Sequence, residues 1–168
     1  MPIYTNDNFW KKNWRQLIKM QNQNINPERA YRTLVIIWAA LLFSQMMFLV
    51  VIFFAKPEIL RFDSAKPLLG ENMLIVIALA ILALGNFGLS FVMKNRSYQQ
   101  AVTEQNIAYV QTGLVIACAL CEAISLLGMV LAFAFSYQYF FAWFALGILG
   151  ILLHFPRRDA VIAASYKK

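Results

Sequence analysis

Four long apolar stretches alternate with polar segments along the chain, at residues 33–55, 72–93, 107–134 and 137–155. Each approaches or exceeds the roughly 20 residues that a helix needs to cross about 30 Å of hydrocarbon. Helices are the natural solution, because an open sheet leaves backbone groups unpaired in lipid. The pattern predicts an all-α polytopic membrane protein whose four transmembrane helices form two hairpins. Before the first stretch, Trp10, Trp14, Leu17, Ile18 and Gln21 follow helical spacing, with Lys11, Lys12, Arg15 and Lys19 largely on the other side. Aromatic anchors with a basic face predict an amphipathic helix in the membrane interface over 6–21.

The organisation that follows is a cytoplasmic amphipathic segment at 1–26, a transmembrane domain at 27–156 and a cytoplasmic tail at 157–168. Asn26-Pro27-Glu28 reads as a helix start, with an Asn cap, Pro in the first turn and an acid favoured by the dipole. Lys56-Pro57 ends the first span, and Pro156 ends the fourth. Residues 94–106 form a polar loop or a helical extension, and the turn near Ser136–Tyr139 is short. Tyr137, Tyr139 and Trp143 suit an interfacial aromatic belt. A signal peptide has its apolar region close to the terminus. Here that region comes after a long polar segment, so the first span is expected to stay.

Composition agrees with the pattern: the chain is 61% hydrophobic and only 14% charged. Of 15 basic residues, 12 fall in the N-terminal segment, the loop after span two and the C-terminal tail. Those three segments share one side in a four-span protein. The positive-inside rule puts them in the cytoplasm, both termini included. The expected location is a plasma membrane of the bacterial inner-membrane type. The net charge of +7 then serves topology and lipid headgroups, with Arg157 and Arg158 joining Trp10, Trp14, Lys11 and Lys12 at the interface. No basic stripe on a soluble domain suggests nucleic acid as a partner. The expected partners are the bilayer and either further copies of the chain or other membrane subunits.

Against this background Glu122 stands out, since no other Asp, Glu, Lys or Arg lies inside the four stretches. A carboxylate at mid-bilayer costs about 2.5–3.5 kcal/mol on insertion scales. Low-dielectric surroundings disfavour the charged form of a carboxyl group, so one there can hold a proton in lipid and release it on meeting water or a cation. The structural alternative is a neutral Glu bonded to a neighbouring helix, and such bonds average about 0.6 kcal/mol. Counting depth at a rise of about 1.5 Å per residue, Gln45 lies level with Glu122, with Ser44 beside it. Asn86 is about a turn shallower on span two, and Ser125 lies three residues on. Glu122, Gln45, Ser125 and Asn86 are the candidate ion-binding set.

The segment LVIACALCEAISLLGMVLAF resembles the carboxylate-bearing helix of subunit c, the proteolipid of rotary ATP synthases and ATPases. Ala119, Leu120, Glu122, Ala123 and Gly128 carry the resemblance, supported by Arg96, Gln99 and Gln100 in the preceding polar loop. It implies an ion-carrying Glu122 within an oligomeric ring. The chain departs from that family in span two, where only Gly85 and Gly88 stand for a glycine repeat.

Setting Thr33 against Thr112 aligns span one with span three without gaps and suggests two tandem hairpins. Cys118 and Cys121 read as small packing residues, and His154, the only histidine, as a wet interfacial residue. Nothing in the sequence points to a catalytic set, a metal cluster or a cofactor, so no enzyme is expected. Two alternatives to the ring remain: a non-catalytic scaffold subunit of a larger membrane complex, and a small proton-coupled transporter.

Overall fold

In the computed structural model, residue 13 and residues 26–60, 67 and 72–165 are described. The amphipathic segment with Trp10, Lys11, Lys12 and Trp14 lies outside the described residues. Among the described residues there is no strand. Helix α1 is Pro27–Ala55, followed by a 3-10 turn at Pro57–Leu60. Helices α2 (Met73–Glu104) and α3 (Ile107–Phe135) follow. A 3-10 turn at Gln138–Phe140 leads into α4 (Phe141–Leu153), and the chain closes with α5 (Arg158–Ser165).

The starts of α1 and α3 are built alike. Asn26 Oδ1 accepts from the Glu28 amide and Asn106 Oδ1 from the Ala108 amide, both at 3.0 Å. Each satisfies one of the orphan donors of a first turn. At the far end of α3, Ser136 turns left-handed at φ 47°. There the Lys56 ammonium donates to Phe133 O at 2.8 Å and to Ser136 Oγ at 3.3 Å, a cation at a helix C-terminus.

Three helices, α1, α2 and α3, are long and apolar enough to cross a membrane, which makes this an integral membrane protein. The fourth stretch is shorter than the sequence suggests. The 3-10 turn uses its first residues, and Pro156 stops it at the other end. That leaves α4 with 13 residues, about 20 Å. It reaches membrane length only if the stretch from Gln138 through α5 is one span bent by 46°.

Helix α3 is the centre of the bundle. Towards its C-terminal end, Ile124 and Leu131 pack with Val76 and Ala83 of α2 and Trp143 of α4. On the other flank Ala132 packs with Ile52 of α1 and Phe140 and Phe144. Thus α3 and α4 form a wall, with α1 on one flank and α2 on the other. The wall is thin because glycines let the backbones approach. A Cβ on Gly128 would lie 2.6 Å from Trp143 Cβ, and one on Gly150 2.6 Å from Cys121 Sγ. Cys118 and Cys121 are both buried and free. The outer faces of α1 and α2 stay apolar and exposed, as at Phe54 and Leu74, which suits lipid contact.

The tail is docked on the bundle. Val161 and Ala164 of α5 are fully buried with Leu34 of α1, Ala101 of α2 and Val110 of α3. The 94–106 segment is mostly a helical extension of α2, ended by Gln105 in the left-handed region.

Helices α1 and α3 each have 29 residues and run parallel, side by side. Their hydrogen bonds join residues 78 and 80 positions apart, close to the spacing at which the two sequences align. The hairpin partners differ, with 32 residues in α2 and 13 in α4.

Candidate functional site

Where α1 lies against α3, a polar cluster interrupts the apolar seam. Glu122 is half-buried there and its Oε1 is hydrogen-bonded to Ser44 Oγ. Ser44 Oγ also lies 2.8 Å from Leu41 O. A hydroxyl has one proton to donate. With Glu122 ionised, Ser44 donates to the carboxylate. With Glu122 protonated, the carboxyl O–H donates to Ser44, and Ser44 donates to Leu41 O. The same two heavy atoms therefore serve both protonation states.

One level further along the seam, Ser125 Oγ donates to Gln45 Oε1 at 2.5 Å. Both side chains are fully buried. Gln45 Nε2 is buried without a hydrogen-bond partner, an unspent donor next in sequence to the Ser44–Glu122 pair. Gly147 of α4 covers this level. A Cβ there would collide with Ser125 Oγ and come within 2.8 Å of Cys121 O and 3.2 Å of Gln45 Oε1.

The structure thus brings together Glu122, Ser44, Gln45 and Ser125. Asn86 stays apart. It lies on α2, on the flank of α3 opposite α1, and among the described residues no hydrogen bond joins it to Glu122. Depth counting gave its level but not its direction around the bundle. The polar residue of α2 that is fully buried is Ser90, one turn on. Ser90 Oγ lies 2.6 Å from Phe87 O and 2.8 Å from His154 Nε2.

His154 is the clearest departure from the sequence reading. It is fully buried, its ring centre lies 4.5 Å from that of Phe91 at a tilt of 54°, and its Nδ1 has no hydrogen-bond partner. It closes the C-terminus of α4, where the bend before α5 folds it inward. No periodicity marks that turn. Nearby, Trp38 Nε1 donates to Ile151 O at 2.7 Å, a tie from α1 to α4 that spacing alone does not reveal. Arg158 pairs with Glu28 at 2.8 Å, while Arg157 is exposed. Among the described residues no group of three or more His, Cys, Asp or Glu could hold a metal ion.

The open side of α3 passes next to Glu122. Val115, Leu126 and Val130 are exposed on it, as is Ala119, and the run 115, 119, 122, 126 follows one helical stripe. Glu122 therefore stands at the border between the α1 seam and the outer surface. No protein-family model, curated protein or solved structure matches the chain, so the functional argument rests on this geometry.

Proposed function

We propose that the protein binds a proton or small cation reversibly at Glu122 within the membrane, as a proteolipid-like member of an oligomeric ring or complex. The observation that carries this reading is the Ser44 hydroxyl, placed between Leu41 O and Glu122. It accommodates the carboxyl group with or without its proton. Gln45 and Ser125 add oxygen and amide groups on the next level. The position of Glu122 beside the open face of α3 favours exchange with lipid or a neighbouring subunit. A transporter would instead need the carboxylate to face an internal aqueous cavity. This reading includes four membrane crossings, both termini in the cytoplasm of a bacterial inner membrane, remote kinship to subunit c and no enzymatic chemistry.

The scaffold reading has its own support, because the Ser44–Glu122 and Gln45–Ser125 bonds tie α1 to α3. Assembly and labelling together separate the two readings, since carbodiimide attacks a protonated carboxyl group. Expected are labelling of Glu122, a ring of many copies by native mass spectrometry, and Glu122→Gln chains that assemble but do not label. A monomer or dimer sinks the ring. A complex of unlike subunits that stays intact in Glu122→Gln establishes the scaffold.

A further inference from the structure

A second polar cluster lies at the other, basic end of the bundle, away from Glu122. It gathers where α4 ends and bends into α5, against the inner face of α2. Lys94 is half-buried on that face, with its ammonium 5.6 Å from the centre of the Tyr98 ring. Among the described residues the one ion pair is Arg158 with Glu28, so none of them gives Lys94 a carboxylate partner. His154 reaches the same helix one turn before Lys94, through Ser90. Arg157 follows His154 by three residues in the elbow and is exposed there. Two polar atoms in this group are buried and unpartnered, Tyr98 Oη and His154 Nδ1.

Buried polar atoms are nearly always satisfied, and an orphan points to a missing water or ion. A water here would satisfy Tyr98 and His154 but leave the half-buried Lys94 without a counter-charge. The deficit is one of negative charge and of acceptor oxygens together. We propose that the α4–α5 elbow is an anion site that takes a phosphate group, with Lys94 and Arg157 supplying charge and Tyr98 and His154 supplying donors. The tautomer of His154 is coupled to the Ser90 hydroxyl, which donates to Phe87 O at 2.6 Å and lies 2.8 Å from the ring Nε2. An anion at Nδ1 calls for the other arrangement, with Ser90 turned to donate to Nε2 and the ring proton on Nδ1. The site lies where the apolar part of α2 gives way to its polar extension, the level of lipid headgroups. Basic pockets between membrane helices hold phosphate headgroups in the same way.

The test is native mass spectrometry of the full chain in non-ionic detergent, titrated with short-chain phosphatidylglycerol or phosphatidylcholine. A parallel thermal melt uses inorganic phosphate. Removing both charges in Lys94→Gln/Arg157→Gln is expected to weaken phosphatidylglycerol binding by about tenfold or more. Tyr98→Phe, which keeps the ring, weakens it by a few fold. Phosphatidylcholine binds more weakly, and its binding does not change in the variants. Arg29→Gln/Arg32→Gln, which removes two exposed cations at the same end, leaves phosphatidylglycerol binding unchanged. Stabilisation by inorganic phosphate that vanishes in the same variants assigns a free phosphate, and an effect confined to the lipid assigns a headgroup. Should the double variant fail to fold, Tyr98→Phe decides. The proposal is overturned if neither probe binds, if the arginine pair matters as much as the Lys94 pair, or if Tyr98→Phe binds like the wild type.

Discussion

Gly147 marks the point where α4 presses hardest on the polar seam, since any Cβ there meets Ser125, Cys121 O and Gln45. Overpacking of a tight site costs about 1–3 kcal/mol. Gly147→Ala is therefore expected to lower the melting temperature in detergent. Gly85→Ala, where nothing lies within 4 Å of the new carbon, is the matched control and holds or gains stability through helix propensity. Gln45 poses the opposite question. Its amide is buried with one donor unspent and its oxygen accepts from the buried Ser125 hydroxyl. Replacing both partners of a buried hydrogen bond by apolar groups is near neutral or stabilising, whereas removing one strands the other at a cost of about 1–3 kcal/mol. Gln45→Leu/Ser125→Ala is therefore expected to melt in detergent close to the wild type, and Gln45→Leu alone below it. A large loss of stability in the double variant instead makes the pair a structural tie. Residue by residue, the sequence revealed depth better than direction. Helical rise puts Gln45 level with Glu122 and Ser125 three residues on, and both are found in the seam. Asn86 had a suitable depth too, but nothing in its own segment says which flank of α3 carries α2. His154 was hidden for a related reason: its burial comes from the bend after α4, a tertiary event.

The elements α1, α2 and α3 were legible because each is an apolar run longer than a bilayer, bounded by signals that the backbone obeys. Asn26 and Pro27 start α1 as their chemistry requires. Asn106 caps α3 in the same manner, and Asn106→Ala is expected to cost about 1 kcal/mol of stability in a denaturation titration. The turn near Ser136–Tyr139 was legible too, but not its form: a 3-10 turn at Gln138–Phe140 leaves the regular helix of the fourth stretch with 13 residues. Helix α5 was missed because eight residues make too short a pattern to show which face is covered, and Val161 and Ala164 are the two that are buried. Those two hold it in place. The exposed Arg158–Glu28 pair adds little, on the order of 0–1 kcal/mol, whereas full burial of a valine contributes about 1.5–3 kcal/mol. Val161→Asp should therefore release α5. Hydrogen exchange over 158–165 then loses its protection while α3 keeps its own, and Arg158→Ala changes neither. Equal loss in both variants would mean that the ion pair, not the apolar contact, docks the helix.

At the scale of the whole molecule, the open question is how often the chain crosses the bilayer, and the packing gives a definite expectation. Along α3, Gly128 meets Trp143, Ser125 meets Gly147 and Cys121 meets Gly150, so α4 runs antiparallel to α3 despite its length. Helix α5 then reaches Leu34, Ala101 and Val110, at the end where α1 begins and α2 ends. The short helix is supplemented by the 3-10 turn before it and the elbow after it, and together they return the chain along the bundle. The Lys56 cap on Phe133 O holds the opposite end together. Single cysteines at Glu58, Gln100 and Asp159, all exposed positions, read this directly with a membrane-impermeant maleimide. Cys118 and Cys121 are buried and contribute little background. If the basic end is cytoplasmic, as its excess of Lys and Arg requires, Glu58→Cys labels in intact cells, and Gln100→Cys and Asp159→Cys label only after the membrane is opened. Labelling of Asp159→Cys together with Glu58→Cys would mean three crossings and an α4 that never traverses the bilayer. That result would also separate His154 from Ser90 and Lys94 and remove the cluster between them. Agreement of Asp159→Cys with Gln100→Cys establishes four crossings, with a last span that is bent and shorter in helix than its apolar sequence suggests.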